Sequence, residues 1–131
     1  MASLWKSPQR GVVFVALDRY EERHGDQDRS FAEFVRQRVP TATLIPVRWR
    51  SYAAFVRVPL IVDPDEVDRE NAWIDELARA IGRGDDVPPL VIDSRRKGRY
   101  GVIVDGRHRS RAAARLRLRV APIVDLAEMA R

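Results

Sequence analysis

The segment YGVIVDGRHRSRAAARL, residues 100–116, changes its periodicity at one dipeptide, Asp105 and Gly106. Before it, an aromatic and β-branched run has the pattern of a strand. After it, Ala112, Ala113 and Leu116 share one side of a helix whose other side is arginine, predicting a helix over 107–116. Just before it, PPLVID at 88–93 predicts a strand, SRRKG a tight turn, and RYGVIVD at 99–105 the returning strand of a hairpin. RVAPIVDL, 119–126, predicts a last strand.

Upstream, DPDE at 63–66 has the form of a helix start. Asp63 suits the cap, Pro64 the first position, and Asp65 with Glu66 complement the dipole. Val67, Ile74, Leu77, Ala78 and Ile81 make an apolar stripe that ends in Gly82-Arg-Gly84. The order helix, hairpin, helix, strand predicts an α+β domain with a mixed sheet.

The rest of the chain is less regular. GVVFVAL, 11–17, predicts a buried strand, and the polar DRYEERHGDQDR that follows predicts a loop. Ser30 and Glu33 have capping-box spacing, with Phe31, Phe34 and Val35 as the stripe of a short helix that Pro40 stops. TLIPVRWRSYAAFVRVPLIV, 43–62, predicts two extended segments, Pro46 and Pro59 favouring sheet edges or strand ends.

Bulk properties exclude several chemistries. With 131 residues, 45% of them hydrophobic, the chain is sized for one compact domain over 1–131. It contains no cysteine, which removes disulfides, thiolate metal sites and thiol nucleophiles. Two histidines, His24 and His108, do not make a histidine-rich metal site, although one histidine with carboxylates could still bind an ion, and no particular metal-ligating residues are expected. No apolar run approaches the roughly 20 residues of a membrane span, and MASLWKSPQR lacks a signal core, so the expected location is cytoplasmic.

Charge is distributed unevenly. Residues 95–119 hold ten basic residues against one acid, Asp105, a local charge of +9, while the remainder holds 14 basic and 18 acidic residues, or −4. The chain therefore carries one anion-facing segment on a mildly acidic body. Twenty-two of the 24 basic residues are arginine, which a GC-rich genome produces unaided, so the asymmetry carries more weight than the count.

Within that segment, the strand-to-helix turn offers the helix's first N–H groups to an anion. Gly106 allows close approach of backbone and ligand. Arg107 and His108 lie in the first turn with Arg109, which can clasp phosphate bidentately, and Arg111 is near enough to reach the same or an adjacent group. Arg115, Arg117 and Arg119 are too far along to share one phosphate. An ordinary helix with arginine outside and alanine inside has the same appearance, and these residues alone do not separate the two.

The pattern LARAIGRG, PPLVID, a basic turn, YGVIVDGRHRSRAAARL and VAPIVDL, from about Val58 to Val124, resembles the ParB/sulfiredoxin superfamily. In that family the glycine-led turn binds nucleotide phosphates. ParB proteins carry a Gly-Glu-Arg-Arg-x-Arg-Ala type motif with CTP, sulfiredoxins Gly-Cys-His-Arg with ATP, and free-serine kinases an Asp-Gly-His-His-Arg type. The resemblance implies that Gly106 is the family glycine, Arg109 the shared phosphate-binding arginine, and Arg111 the last arginine of the ParB form. His108 then matches the histidine of sulfiredoxin and the kinases, and Asp105 the kinases' aspartate. Arg107 departs from the family. It stands where sulfiredoxin has its catalytic cysteine, which excludes that repair reaction, and where ParB has glutamate, which puts ParB-type CTP hydrolysis in doubt.

The resulting expectation is a nucleotide-binding domain with core 57–126, acting as a small NTPase or phosphotransferase on ATP, ADP or CTP. Gly106, Arg107, His108, Arg109 and Arg111 would hold phosphate, and Asp105 and His108 would be catalytic. Phosphoryl transfer needs charge neutralisation and positioning above all, together with a carboxylate for Mg²⁺ or a proton. Asp105 is the nearest in sequence. Glu21 and Glu22 are alternatives best read as solvated, and Asp63, Asp65 and Glu66 as caps. The competing expectation is a non-catalytic partition-like or regulatory module that binds nucleotide or DNA. Arg95, Arg96, Lys97, Arg99 and Arg115 would extend its patch, unless the hairpin tip is simply solvated. ParB's helix-turn-helix would follow Val124, where seven residues remain, so DNA contact is expected from the patch itself, salt-sensitive and largely sequence-independent. A nuclease is the weakest option, for want of an acidic metal cluster. The role of 1–56 is unassigned: it would complete the sheet or supply a second substrate's pocket.

Overall fold

The computed structural model describes residues 2–23, 28–53, 63–95 and 102–129. It shows a single α+β domain built on one five-stranded mixed sheet. The strands are β1 (Val12–Ala16), β2 (Leu44–Arg50), β3 (Leu90–Asp93), β4 (Val102–Asp105) and β5 (Ala121–Asp125), and the helices are α1 (Phe31–Arg38), α2 (Val67–Gly82), α3 (Arg107–Arg115) and α4 (Leu126–Met129). Spatial order is β1-β2-β5-β3-β4. Every neighbouring pair is antiparallel except β3 with β5, which run parallel because α3 carries the chain back between β4 and β5.

Alternation along the strands sends side chains to two cores. One contains Val15, Ile45, Val47, Val91 and Val124 beneath Phe31, Phe34 and Val35 of α1. The other contains Leu90, Ile92, Ile103, Ala121 and Ile123 beneath Ile74 and Ile81 of α2 and Ala112 and Ala113 of α3. The N-terminal part thus completes the sheet, as one of the two expectations for it held. Its first residues are also tied in: the indole N–H of Trp49 donates to the Leu4 carbonyl at 2.8 Å. Leu17–Tyr20, expected as strand end and loop, forms a 3₁₀ turn with Leu17 and Tyr20 buried.

Prolines sit where the ladder does not need their missing N–H. Pro46 pairs with Phe14 on β1, but β5 reaches β2 only from Val47 onward. Pro122 faces Trp49 of β2, and the β3 pairing begins one residue later at Ile123. Each lies where its strand is paired on one side only. The second extended segment expected after β2, with Pro59, lies outside the described residues.

The start of α2 differs from expectation in two respects. Asp63 makes no side-chain cap; Pro64–Glu66 instead forms a 3₁₀ turn in which the Glu66 N–H donates to the Asp63 carbonyl at 2.8 Å. Val67, placed in the apolar stripe, is 44% exposed, because α2 meets the sheet only from Ile74 onward. Ser30 caps α1 as its spacing predicts, accepting from the Glu33 N–H at 3.1 Å. Helix α4 was not foreseen. Buried Asp125 creates it locally, its Oδ1 accepting from the N–H groups of Ala127 and Ser94. Among the described residues no helix is long and apolar enough to cross a membrane.

Candidate functional site

Strand β4 ends at Asp105, and Gly106 turns the chain into α3 from the left-handed region, φ 106° and ψ 24°. A β-carbon there would lie 2.8 Å from Cδ2 of Leu90 and 3.0 Å from Nη2 of Arg109. Glycine is therefore required by packing as well as by φ, and the space it leaves is filled by protein, not reserved for a ligand. The first bond within α3 runs from the Ser110 N–H to the Gly106 carbonyl at 2.8 Å, and no side chain caps the helix. The amides of Arg107, His108 and Arg109 thus have no acceptor in the helix.

A cavity of about 220 Å³ opens over this turn. Trp73 and Leu77 of α2 form one wall, Val87 and Pro88 a second, and the segment from Val104 to Arg109 the polar end. The Val87–Pro88 wall is held from behind, since the buried Trp5 indole N–H donates to both carbonyls at 3.0 and 3.2 Å. His108 stacks on Trp73, ring centroids 4.0 Å apart at 29°, and its Nε2 is hydrogen-bonded to Glu70 Oε2. Glu70 and Trp73 were not singled out from the sequence. Their spacing of three on α2 puts them on one face, but nothing in a single chain says that α3 begins opposite that face.

The proposed phosphate residues are brought together unequally. Asp105, Gly106, Arg107, His108 and Arg109 all line the cavity. Arg109, however, is 4% exposed, and its Nη2 donates to the Pro89 carbonyl at 2.9 Å and to Asp105 Oδ2 at 3.1 Å. Its buried Nε has no partner among the described residues. Arg107 is exposed and makes no ion pair among the described residues. Arg111 turns toward α2, lines a separate concavity with Glu70 and Asn71, and donates to the Arg107 carbonyl at 3.3 Å. Burial, and then the neighbouring Arg107 charge, pull its pKa below the ordinary arginine value.

The extended patch is also divided. Arg115 is bound to α2, pairing with Asp75 and donating to the Asn71 side chain at 3.1 Å. Arg95 pairs with Asp93 at 3.0 Å. Arg96, Lys97 and Arg99 lie outside the described residues.

The model of the ParB N-terminal domain matches residues 58–128, a little over half of the chain. The protein belongs to the ParB N-terminal domain family. No curated protein and no solved structure matches it. The match takes in α2 and α3 and ends within α4, so both helices that enclose the cavity lie within it, and Trp5, which braces its wall, lies outside.

Proposed function

We propose that this ParB-family domain binds a nucleotide in the cavity between α2 and the Gly106 turn and acts as a small NTPase or phosphotransferase. The observation that carries this reading is the joining, in one 220 Å³ cavity, of an apolar and aromatic wall to an uncapped helix N-terminus. An aromatic surface takes the flat face of a base, and the amide and arginine donors take phosphate.

Arg107, exposed beside the turn, supplies the cation that meets developing charge on a transferred phosphoryl group. His108 presents a ring oriented by Trp73 and Glu70 and acts as the proton carrier. Arg109 supports the turn from beneath. Mg²⁺, where used, enters with the phosphates, and Asp105 is the carboxylate nearest the turn. ATP, ADP and CTP are the candidate ligands.

A second reading has its own support. Asp105 is already engaged by Arg109, which favours a non-catalytic domain whose nucleotide or DNA occupancy changes its partners. Titration with ATP, ADP, CTP and GTP, with and without Mg²⁺, separates these readings when thermal stability and phosphate release are followed together. Binding with release supports the enzyme, and binding without release the regulatory module. If no nucleotide raises the melting temperature while duplex DNA binds with a steep salt dependence, the nucleotide reading is wrong.

A further inference from the structure

Arg107 lines a second cavity as well as the first. This concavity, about 440 Å³, lies between the C-terminal end of α1 and the β3–β4 hairpin. Its floor includes Ile103 and Val104, and among the described residues its charged groups are Arg38, Arg95, Arg107 and Asp93. Three guanidinium groups against one carboxylate leave a formal charge of +2. Arg38 is held in place, its guanidinium 3.6 Å above the Phe34 ring and its Nη1 donating to the Phe34 carbonyl at 3.2 Å. Arg95 is fixed by Asp93, which accepts from both its side chain and its backbone N–H at 3.0 Å. Holding these side chains beforehand removes much of the ordering cost that flexible surface arginines bring to an anion.

We propose that this concavity binds a small tetrahedral dianion, either phosphate or a phosphomonoester, and that Arg107 joins it to the nucleotide cavity. A concave site with an apolar floor, cations from three elements and a net charge of +2 suits a compact dianion better than an extended polymer. Arg38 comes from the part of the chain that precedes the family match, which gives that part a role in selecting the ligand. The dianion's role as second substrate rests on the nucleotide reading above; the anion site itself does not.

The test is a titration of the ¹⁵N-labelled full chain with inorganic phosphate and, separately, glycerol 1-phosphate at constant ionic strength, following arginine Nε–Hε and backbone resonances. Saturable shifts at Arg38, Arg95 and Arg107 are expected, and the tighter of the two ligands identifies the source of the phosphoryl group. Arg38→Gln should weaken binding about tenfold, as loss of one charge-assisted contact does. Arg38→Lys should restore part of it, and Arg69→Gln, on the exposed face of α2, should change nothing. Shifts confined to the Gly106 turn, or shifts that Arg38→Gln leaves intact in a variant melting like the parent, would overturn the proposal. Trp73 fluorescence with ATP and CTP reports the other cavity. If nucleotides bind while phosphate leaves Arg38 and Arg95 unmoved, the anion site fails alone. If phosphate shifts them and no nucleotide binds, the nucleotide reading fails alone.

Discussion

Arg109 and Asp105 form an ion pair across the Gly106 bend, Nη2 to Oδ2 3.1 Å, with side chains only 5% and 14% exposed. Removing one member leaves the other charge poorly solvated, so Arg109→Ala should lower stability by about 3 kcal/mol in urea unfolding. The double replacement Arg109→Met with Asp105→Leu should recover part of that loss. Failure of Arg109→Ala to bind nucleotide therefore says little about phosphate contact. Arg107→Ala, with its exposed side chain, is the informative variant, expected to weaken nucleotide binding at unchanged melting temperature.

Gly106→Ala tests the turn. Positive φ and a β-carbon 2.8 Å from Leu90 together should cost about 3 kcal/mol, at the upper end of backbone-strain penalties. Gly84→Ala, at φ 87° with nothing within 4 Å, carries strain alone and should cost about 1 kcal/mol. Equal losses in chemical denaturation would show that contact with Leu90 does not matter.

Trp73→Ala removes the aromatic wall and the stacking partner of His108. Nucleotide affinity by fluorescence-independent calorimetry should fall about tenfold, the scale of one base-stacking contact. Stability should fall less than for a core tryptophan, since Trp73 is only half-buried. An unchanged affinity would place the base elsewhere.

The sequence carried the core of the fold because its signals there are local. A strand run ending in Asp105-Gly106, a capping Ser30 three residues before Glu33, and the glycines after Ile81 each act over a few residues. What it could not show depends on distant pairing. Asp63 looks like a cap, yet its backbone carbonyl takes the bond instead. Arg115 has the composition of a solvated patch, but Asp75 and Asn71, forty residues away in sequence, engage it. Arg109 illustrates the same limit within the site: its position in the first turn was legible, while its inward direction depends on the Pro89 carbonyl. Glu70 and Trp73 acquire meaning only from the packing of α2 beside α3.

Tyr20 gives the protein an alkaline weakness. Its hydroxyl donates to Asp86 at 3.1 Å, and burial, followed by the Asp86 charge, raises its pKa well above the ordinary value near 10.0, Arg19 opposing in part. The folded state holds the phenolic proton more tightly than the unfolded chain. This contribution is present below about pH 10 and lost as pH rises beyond it. Melting temperatures should fall as pH rises above about 10, and Tyr20→Phe should flatten that decline while losing about 1 kcal/mol near neutrality with the hydrogen bond. Parallel pH profiles for the two proteins would refute the assignment to Tyr20.

Strand β5 lies in the interior of the sheet because β2 covers one side of it, and β2 belongs to the chain before the family match. A fragment cut to the matched residues would present β5 as a bare edge four residue pairs long and leave Val91 and Val124 without Ile45, Val47 and the α1 phenylalanines above them. Such an edge invites pairing with another chain. The stretch by which evolution marks kinship and the stretch that must fold together are thus of different length here, and any attempt to transplant the site has to carry both.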